Sequence, residues 1–144
     1  MHDGRDAVDL CGSGEELAVS LAAHAGGPAR LAAGRLAQVA RDELGVSISI
    51  RHGVPARVMA ACPPWPEEAV PAMRAAGVEP RPDGRLADLP DGAAAEQGFI
   101  AARPSGQTPA LLLLANTPAG VRNALLTLAD RLYRDDAGGV AADA

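Results

Sequence analysis

The chain has 144 residues and a formal net charge of −5 at pH 7. This acidic balance excludes a general nucleic-acid binder, which needs a basic face. All 13 basic residues are arginine, so reactions that need a lysine, such as Schiff-base formation, are excluded as well.

The length fits a single domain over residues 1–144. We expect its core at about 17–134 and tails at 1–16 and 135–144. Hydrophobic residues make up 48% of the chain but aromatic residues only 2%. The core must therefore be built from leucine, valine, isoleucine and alanine.

No apolar run is long enough to span a membrane, so no membrane partner is expected. The segment Leu17–Ala25 looks superficially like a secretory signal, but Glu15 and Glu16 stand where such a signal carries positive charge. No signal peptide is predicted, and the cytoplasm is the default location.

The first third of the chain predicts strand, helix, strand. Leu17–Ala22 has the length of a strand, and the apolar patch before it is a tail or a short edge strand. Pro28 opens a helix that ends at Gly45, the residue type favoured at helix C-termini. Val46–Ile50 alternates apolar and serine residues, which is typical of a strand.

The middle third is less regular. Ala56–Cys62 fits either a strand or half of a helix, and the prolines that follow it break the chain. Glu67–Ala76 predicts a short helix disturbed by Pro71. Pro80–Gly92, with three prolines and two glycines, predicts a loop.

The last third carries the strongest local signals. Gly98–Ala102 predicts a strand, and with the apolar run Ala110–Ala115 it predicts a β-hairpin. Because that run lacks polar alternation, it should be covered on both faces. Thr117 can cap the helix that follows, with Pro118 at its first position. The helix places its apolar residues on one face at spacings of four, three and four: Val121, Leu125, Leu128 and Leu132.

These elements predict an α+β fold, a mixed β-sheet with two main helices packed on one face.

No metal or cofactor site is predicted. His2, His24 and His52 lack the spacing of metal ligands, and a zinc site assembled from Cys11, His24, His52 and Cys62 would contain no closely spaced ligand pair. The two cysteines are more typical of small buried hydrophobes than of a disulfide.

No catalytic residue is predicted. The acidic pairs Glu67-Glu68 and Asp135-Asp136 are adjacent in sequence, whereas catalytic carboxylates face each other across a substrate. Ser105 lacks the context of a nucleophile elbow. The N–H groups of Ala119–Val121 could hold an anion, although capping by Thr117 accounts for them more simply.

Trp65 is the one candidate substrate-binding residue. An exposed indole suits the face of a sugar ring. Packing against the core is the more frequent role for the sole tryptophan of a small domain, and the sequence favours it.

The end of the chain resembles a known accessory domain. The C-terminal third of the chain is similar to that of one domain family. The similar segments are Gln97-Gly98-Phe99-Ile100, the LLLLAN strand, the Thr117-Pro118-Ala119-Gly120-Val121 turn and the leucine-rich helix. This family is the N-terminal, non-catalytic α/β domain that precedes the barrel in β-N-acetylhexosaminidases, α-glucuronidases and related glycoside hydrolases. The helix from Pro28 and its V-x-I-x-I strand agree with the family's opening.

The resemblance implies a zincin-like topology and an accessory role. The resemblance implies a (β/α)₈ catalytic domain as the binding partner, in the same chain or in another. It also implies carbohydrate as a second kind of partner. The catalytic carboxylates of such enzymes lie on the barrel, so the resemblance implies none here. Two alternatives stay open: a carbohydrate-binding module that uses Trp65, and an independent small α/β protein of unrelated function.

Overall fold

The structure is a computed structural model. It describes residues 7–12, 16–22, 26–54, 56–82, 84–86, 98–104, 110–134 and 139–143.

Within these residues the chain forms two sheets and three α-helices. The strands are β1 (Ala7–Cys11), β2 (Leu17–Leu21), β3 (Ile48–His52), β4 (Val58–Ala61), β5 (Phe99–Ala102), β6 (Leu111–Ala115), β7 (Leu132–Arg134) and β8 (Val140–Asp143). The α-helices are α1 (Gly26–Val39), α2 (Val70–Ala75) and α3 (Pro118–Arg131), and a π-helical turn, Ala40–Leu44, continues α1.

The main sheet has five strands in the order β3-β2-β4-β6-β5. The first four are parallel to one another, and β5 runs antiparallel to β6. Every residue of the inner strands β4 and β6 is buried. A strand covered on both faces needs a continuous apolar run rather than alternation, and this explains the sequences of both.

The predicted hairpin and the strand at Ala110–Ala115 are confirmed, because Phe99 pairs with Ala115 and Ala102 with Leu112. Ser105 and Gly106, which connect the two strands of the hairpin in the sequence, lie outside the described residues. The ambiguous segment Ala56–Cys62 is a strand, β4, at the centre of the sheet.

Helices α1 and α3 pack against each other, with α3 lying on β4, β5 and β6 and α1 contacting β3. The predicted fold class, a mixed sheet with two main helices on one face, is therefore confirmed. Val121, Leu125 and Leu128 form the buried face of α3. The helix ends at Arg131, and Leu132 leaves it with an extended backbone to begin β7.

The helix predicted from Pro28 begins two residues earlier, at Gly26. The α-helix itself extends to Val39, and a π-helical turn carries the chain on to the predicted stop at Gly45, which has φ +67°. The π-helical turn before it was not predicted. It is closed by a hydrogen bond from the Val46 N–H to the Ala40 carbonyl, 3.0 Å long. This wider turn leads the chain out of the helix into β3, which begins at Ile48 and extends to His52.

A second, three-stranded sheet has the order β1-β8-β7, with antiparallel pairs. Strands β1 and β8 lie inside the segments expected as tails, 1–16 and 135–144. They are strands because they pair with each other across nearly the whole chain. Leu10 of β1 is also buried in the core.

No helix in the described part of the chain is long and apolar enough to cross a membrane.

Candidate functional site

A concave surface formed by described residues lies beside Trp65. It is a groove of about 300 Å³. Its apolar lining is Trp65, Val70, Met73, Val78 and Pro80, and two charged residues, Arg74 and Glu79, complete it. We call this surface the Trp65 groove.

Helix α2 and the turn after it form one side of the groove. Pro71 lies in the first turn of α2, where its missing N–H leaves no bond unmade, so it begins the helix rather than disturbing it. After α2, Gly77 adopts φ +75°. The Val78 N–H then bonds the Met73 carbonyl at 2.9 Å, and the Gly77 N–H bonds the Arg74 carbonyl at 3.0 Å.

This pair of bonds is a Schellman motif, which reverses the chain after a helix and needs a left-handed residue at its centre. It turns Val78, Glu79 and Pro80 back beside the helix, where they line the groove together with Arg74. The glycine at position 77 therefore brings a guanidinium and a carboxylate to one surface.

Trp65 also lines the groove and is held in place by the protein. Its Nε1–H donates to the carbonyl oxygen of Gly84 at 2.8 Å. A tight turn fixes Gly84, because its N–H bonds the Arg81 carbonyl at 2.8 Å. The indole also packs against the hydrophobic core and is half-buried.

The same loop is tied to the β6–α3 turn. The side-chain oxygen of buried Asn116 accepts a hydrogen bond from the Leu86 N–H at 2.6 Å, and Leu86 is only 1% exposed. Asn116 thereby connects the irregular middle of the chain to its most regular part. The sequence predicted that the apolar run ends at Ala115 but did not predict this contact.

The turn at the start of α3 is closely packed. The Thr117 hydroxyl accepts a hydrogen bond from the Gly120 N–H at 3.1 Å, which is the predicted cap. A Cβ built on Gly120 would lie 2.5 Å from the Gly98 carbonyl oxygen and 2.6 Å from the Ala115 Cβ. The glycine is therefore required by the close approach of α3 to β5 and β6. An anion site is not needed to explain this turn.

The other candidates remain dispersed. His52 lies at the end of β3, with its Nδ1 3.2 Å from the Leu21 carbonyl oxygen. Cys11 and Cys62 do not form a disulfide. Burial raises the pKa of the Cys62 thiol above its ordinary value. Among the described residues, no three His, Cys, Asp or Glu side chains come together as a potential metal site.

Several residues that the sequence offered as candidate ligands or catalytic groups fall outside the described part of the chain. His2, His24, Ser105, Asp135 and Asp136 lie outside the described residues. Glu67 and Glu68 stand just before α2 on one segment, where they do not face each other across a cleft. Within the described lining of the Trp65 groove, Glu79 is the one carboxylate, whereas glycoside hydrolysis ordinarily uses two.

The fold defines the class as an α+β domain with a mixed five-stranded sheet and two helices on one face. No protein-family model and no curated protein matches the chain. Among solved structures it is similar to part of a family GH115 4-O-methyl-α-glucuronidase, BtGH115A, with specificity for decorated arabinogalactans. The TM-score is 0.58 at 13% identity, over 86% of this chain and 14% of that one. At this identity the likeness shows the fold alone.

Proposed function

We propose that the chain is a non-catalytic accessory domain of a carbohydrate-processing glycoside hydrolase, and that it packs against and supports a (β/α)₈ catalytic domain. The observation that carries the proposal is the extent of the structural likeness. It covers 86% of this chain but only 14% of a glycoside hydrolase chain. A fold that makes up so small a part of a large enzyme is a module of it.

The residues of the β6–α3 turn add support. The Thr117–Val121 turn resembles that of the N-terminal domains of β-N-acetylhexosaminidases and α-glucuronidases, which is the finer assignment that we propose. Its glycine is required here by packing, since a Cβ on Gly120 would overlap the Gly98 carbonyl. A turn whose glycine serves the packing of α3, rather than the binding of a ligand, is consistent with a supporting domain.

An accessory role also fits the chemistry of the groove. The Trp65 groove presents a single carboxylate among its described lining residues, so it lacks the acid and base pair of a glycosidase. The catalytic carboxylates would then belong to the partner domain.

The first test is genetic. We expect the coding sequence that adjoins this segment, in the same or a neighbouring reading frame, to encode a glycoside hydrolase barrel. If no glycoside hydrolase is encoded there, the proposal loses its partner and the alternative of an independent small α/β protein is preferred.

The second test is biochemical. The chain alone should show no turnover of aryl N-acetylglucosaminides or aryl glucuronides, and clear hydrolysis would contradict the non-catalytic role. Removal of the segment from the parent enzyme should lower the melting temperature of the catalytic domain. At a temperature where the truncated enzyme stays folded, kcat/KM on a small aryl glycoside should be nearly unchanged. A truncated enzyme with an unaltered melting temperature would contradict the supporting role.

A further inference from the structure

The Trp65 groove combines a fixed aromatic ring with two exposed charges. The only polar atom of the indole, Nε1, already donates to the Gly84 carbonyl oxygen at 2.8 Å. The part of the ring that lines the groove can therefore offer only apolar and π contacts to a ligand. Because the ring is already held in place, a ligand that contacts it need not order it.

The rest of the lining is amphipathic. Val70, Met73, Val78 and Pro80 extend the apolar surface, while Arg74 and Glu79 are exposed to solvent at the groove. A guanidinium only donates hydrogen bonds and a carboxylate only accepts them. A ligand that satisfies both must itself accept and donate, and the opposite charges favour one with no net charge.

Hydroxyl groups meet these requirements, since each can both donate and accept. A sugar ring has an apolar C–H face that can contact the indole and hydroxyl groups at its edge that can bond the charged pair. The groove volume, about 300 Å³, lies at the lower end of the range for ligand sites, which suits a single ring.

We infer that the Trp65 groove binds one pyranose ring of a neutral saccharide. The ring stacks on the indole of Trp65, and its hydroxyls bond Arg74 and Glu79. This binding goes beyond the proposed accessory role and does not depend on it, because it uses only residues of this chain.

Trp65 is the sole tryptophan, so its fluorescence reports on this groove directly. The whole chain is titrated separately with cellotetraose, chitotetraose, tetragalacturonate and sorbitol. We expect a saturable change in the emission of Trp65 with at least one of the two neutral oligosaccharides. Sorbitol, which has hydroxyls but no ring, should give no saturable change, and tetragalacturonate should bind more weakly than the neutral ligand.

Two variants test the charged residues. Arg74→Ala and Glu79→Ala remove exposed side chains, so the fold should be kept, which far-UV circular dichroism checks. Each should weaken the binding by roughly tenfold or more, because a hydrogen bond to a charged group is worth about that much. Arg35→Ala and Glu43→Ala are matched controls: both residues are exposed and neither lines the groove. They should leave the affinity unchanged.

Three results would overturn the inference. The first is a flat titration with both neutral oligosaccharides up to their solubility limits. The second is a saturable change that is equal in the wild type, Arg74→Ala and Glu79→Ala. The third is preferential binding of tetragalacturonate. A flat titration accompanied by an emission shift on adding the parent's catalytic domain would assign the groove to a domain contact instead.

Discussion

The close approach at Gly120 allows the packing of α3 to be tested with one methyl group. In Gly120→Ala the new Cβ would meet the Gly98 carbonyl oxygen at 2.5 Å and the Ala115 Cβ at 2.6 Å. Neither atom can rotate away, because one is backbone and the other is fixed to a buried strand. The helix must therefore shift away from the sheet.

Overpacking of this kind lowers the free energy of unfolding by about 1–3 kcal/mol. The better helix propensity of alanine raises it by at most about 1 kcal/mol. We expect Gly120→Ala to lose roughly 1–2 kcal/mol of unfolding free energy. For a domain of this size that corresponds to a fall in melting temperature of roughly 2–8 °C.

Gly34→Ala is the matched control. Gly34 is also helical, is exposed, and would have no heavy atom within 4 Å of an added Cβ. Gly34→Ala should raise the free energy of unfolding by about 0.5–1 kcal/mol. Urea unfolding followed by far-UV circular dichroism and by Trp65 fluorescence measures both variants. If Gly120→Ala is as stable as Gly34→Ala, the argument from close approach is refuted.

Three further predictions concern the same region and the buried thiol. Asn116→Ala leaves the buried Leu86 N–H without its acceptor, so the free energy of unfolding should fall by about 1–3 kcal/mol. Hydrogen exchange at the Leu86 amide should become faster, and an unchanged exchange rate would contradict the prediction. Thr117→Ala should lower the free energy of unfolding by about 1 kcal/mol, because the α3 cap is lost. Thr117→Ser keeps a hydroxyl and should retain most of that stability, so equal losses in the two variants would argue against capping. Burial raises the pKa of the Cys62 thiol above its ordinary value, so the folded state keeps this proton to a higher pH than the unfolded state. The stability that this residue contributes is therefore full below the pKa of the unfolded chain and falls as the pH rises beyond it. Cys62→Ala should reduce that alkaline loss of stability, which urea midpoints measured against pH will show, and an undiminished loss in the variant would contradict the reasoning.

The parts of the fold that could be predicted from the sequence are those set by neighbouring residues. Thr117 and Pro118 fix the start of α3 by local hydrogen bonding and backbone geometry, and the structure has the helix beginning there. The apolar run at Ala110–Ala115 predicts a covered strand because no polar residue interrupts it. Both signals act within a few residues.

The features that were not predicted depend on distant partners. The wide turn Ala40–Leu44 depends on how α1 must deliver the chain to β3, and no residue in it demands a π-helix. Strands β1 and β8 exist because they pair across the chain. The charged pair of the groove is a third such feature, because only the observed Schellman bonds around Gly77 show that Glu79 returns beside Arg74.

The small sheet has a mechanical consequence. Ala7 pairs with Asp143 and Cys11 with Val140, so the outer ends of β1 and β8 lie side by side. Tension applied between Ala7 and Asp143 would load the hydrogen bonds of this antiparallel pair one after another, as in opening a zipper, rather than all at once in shear. The pair should peel apart at low force while the parallel sheet still carries no load.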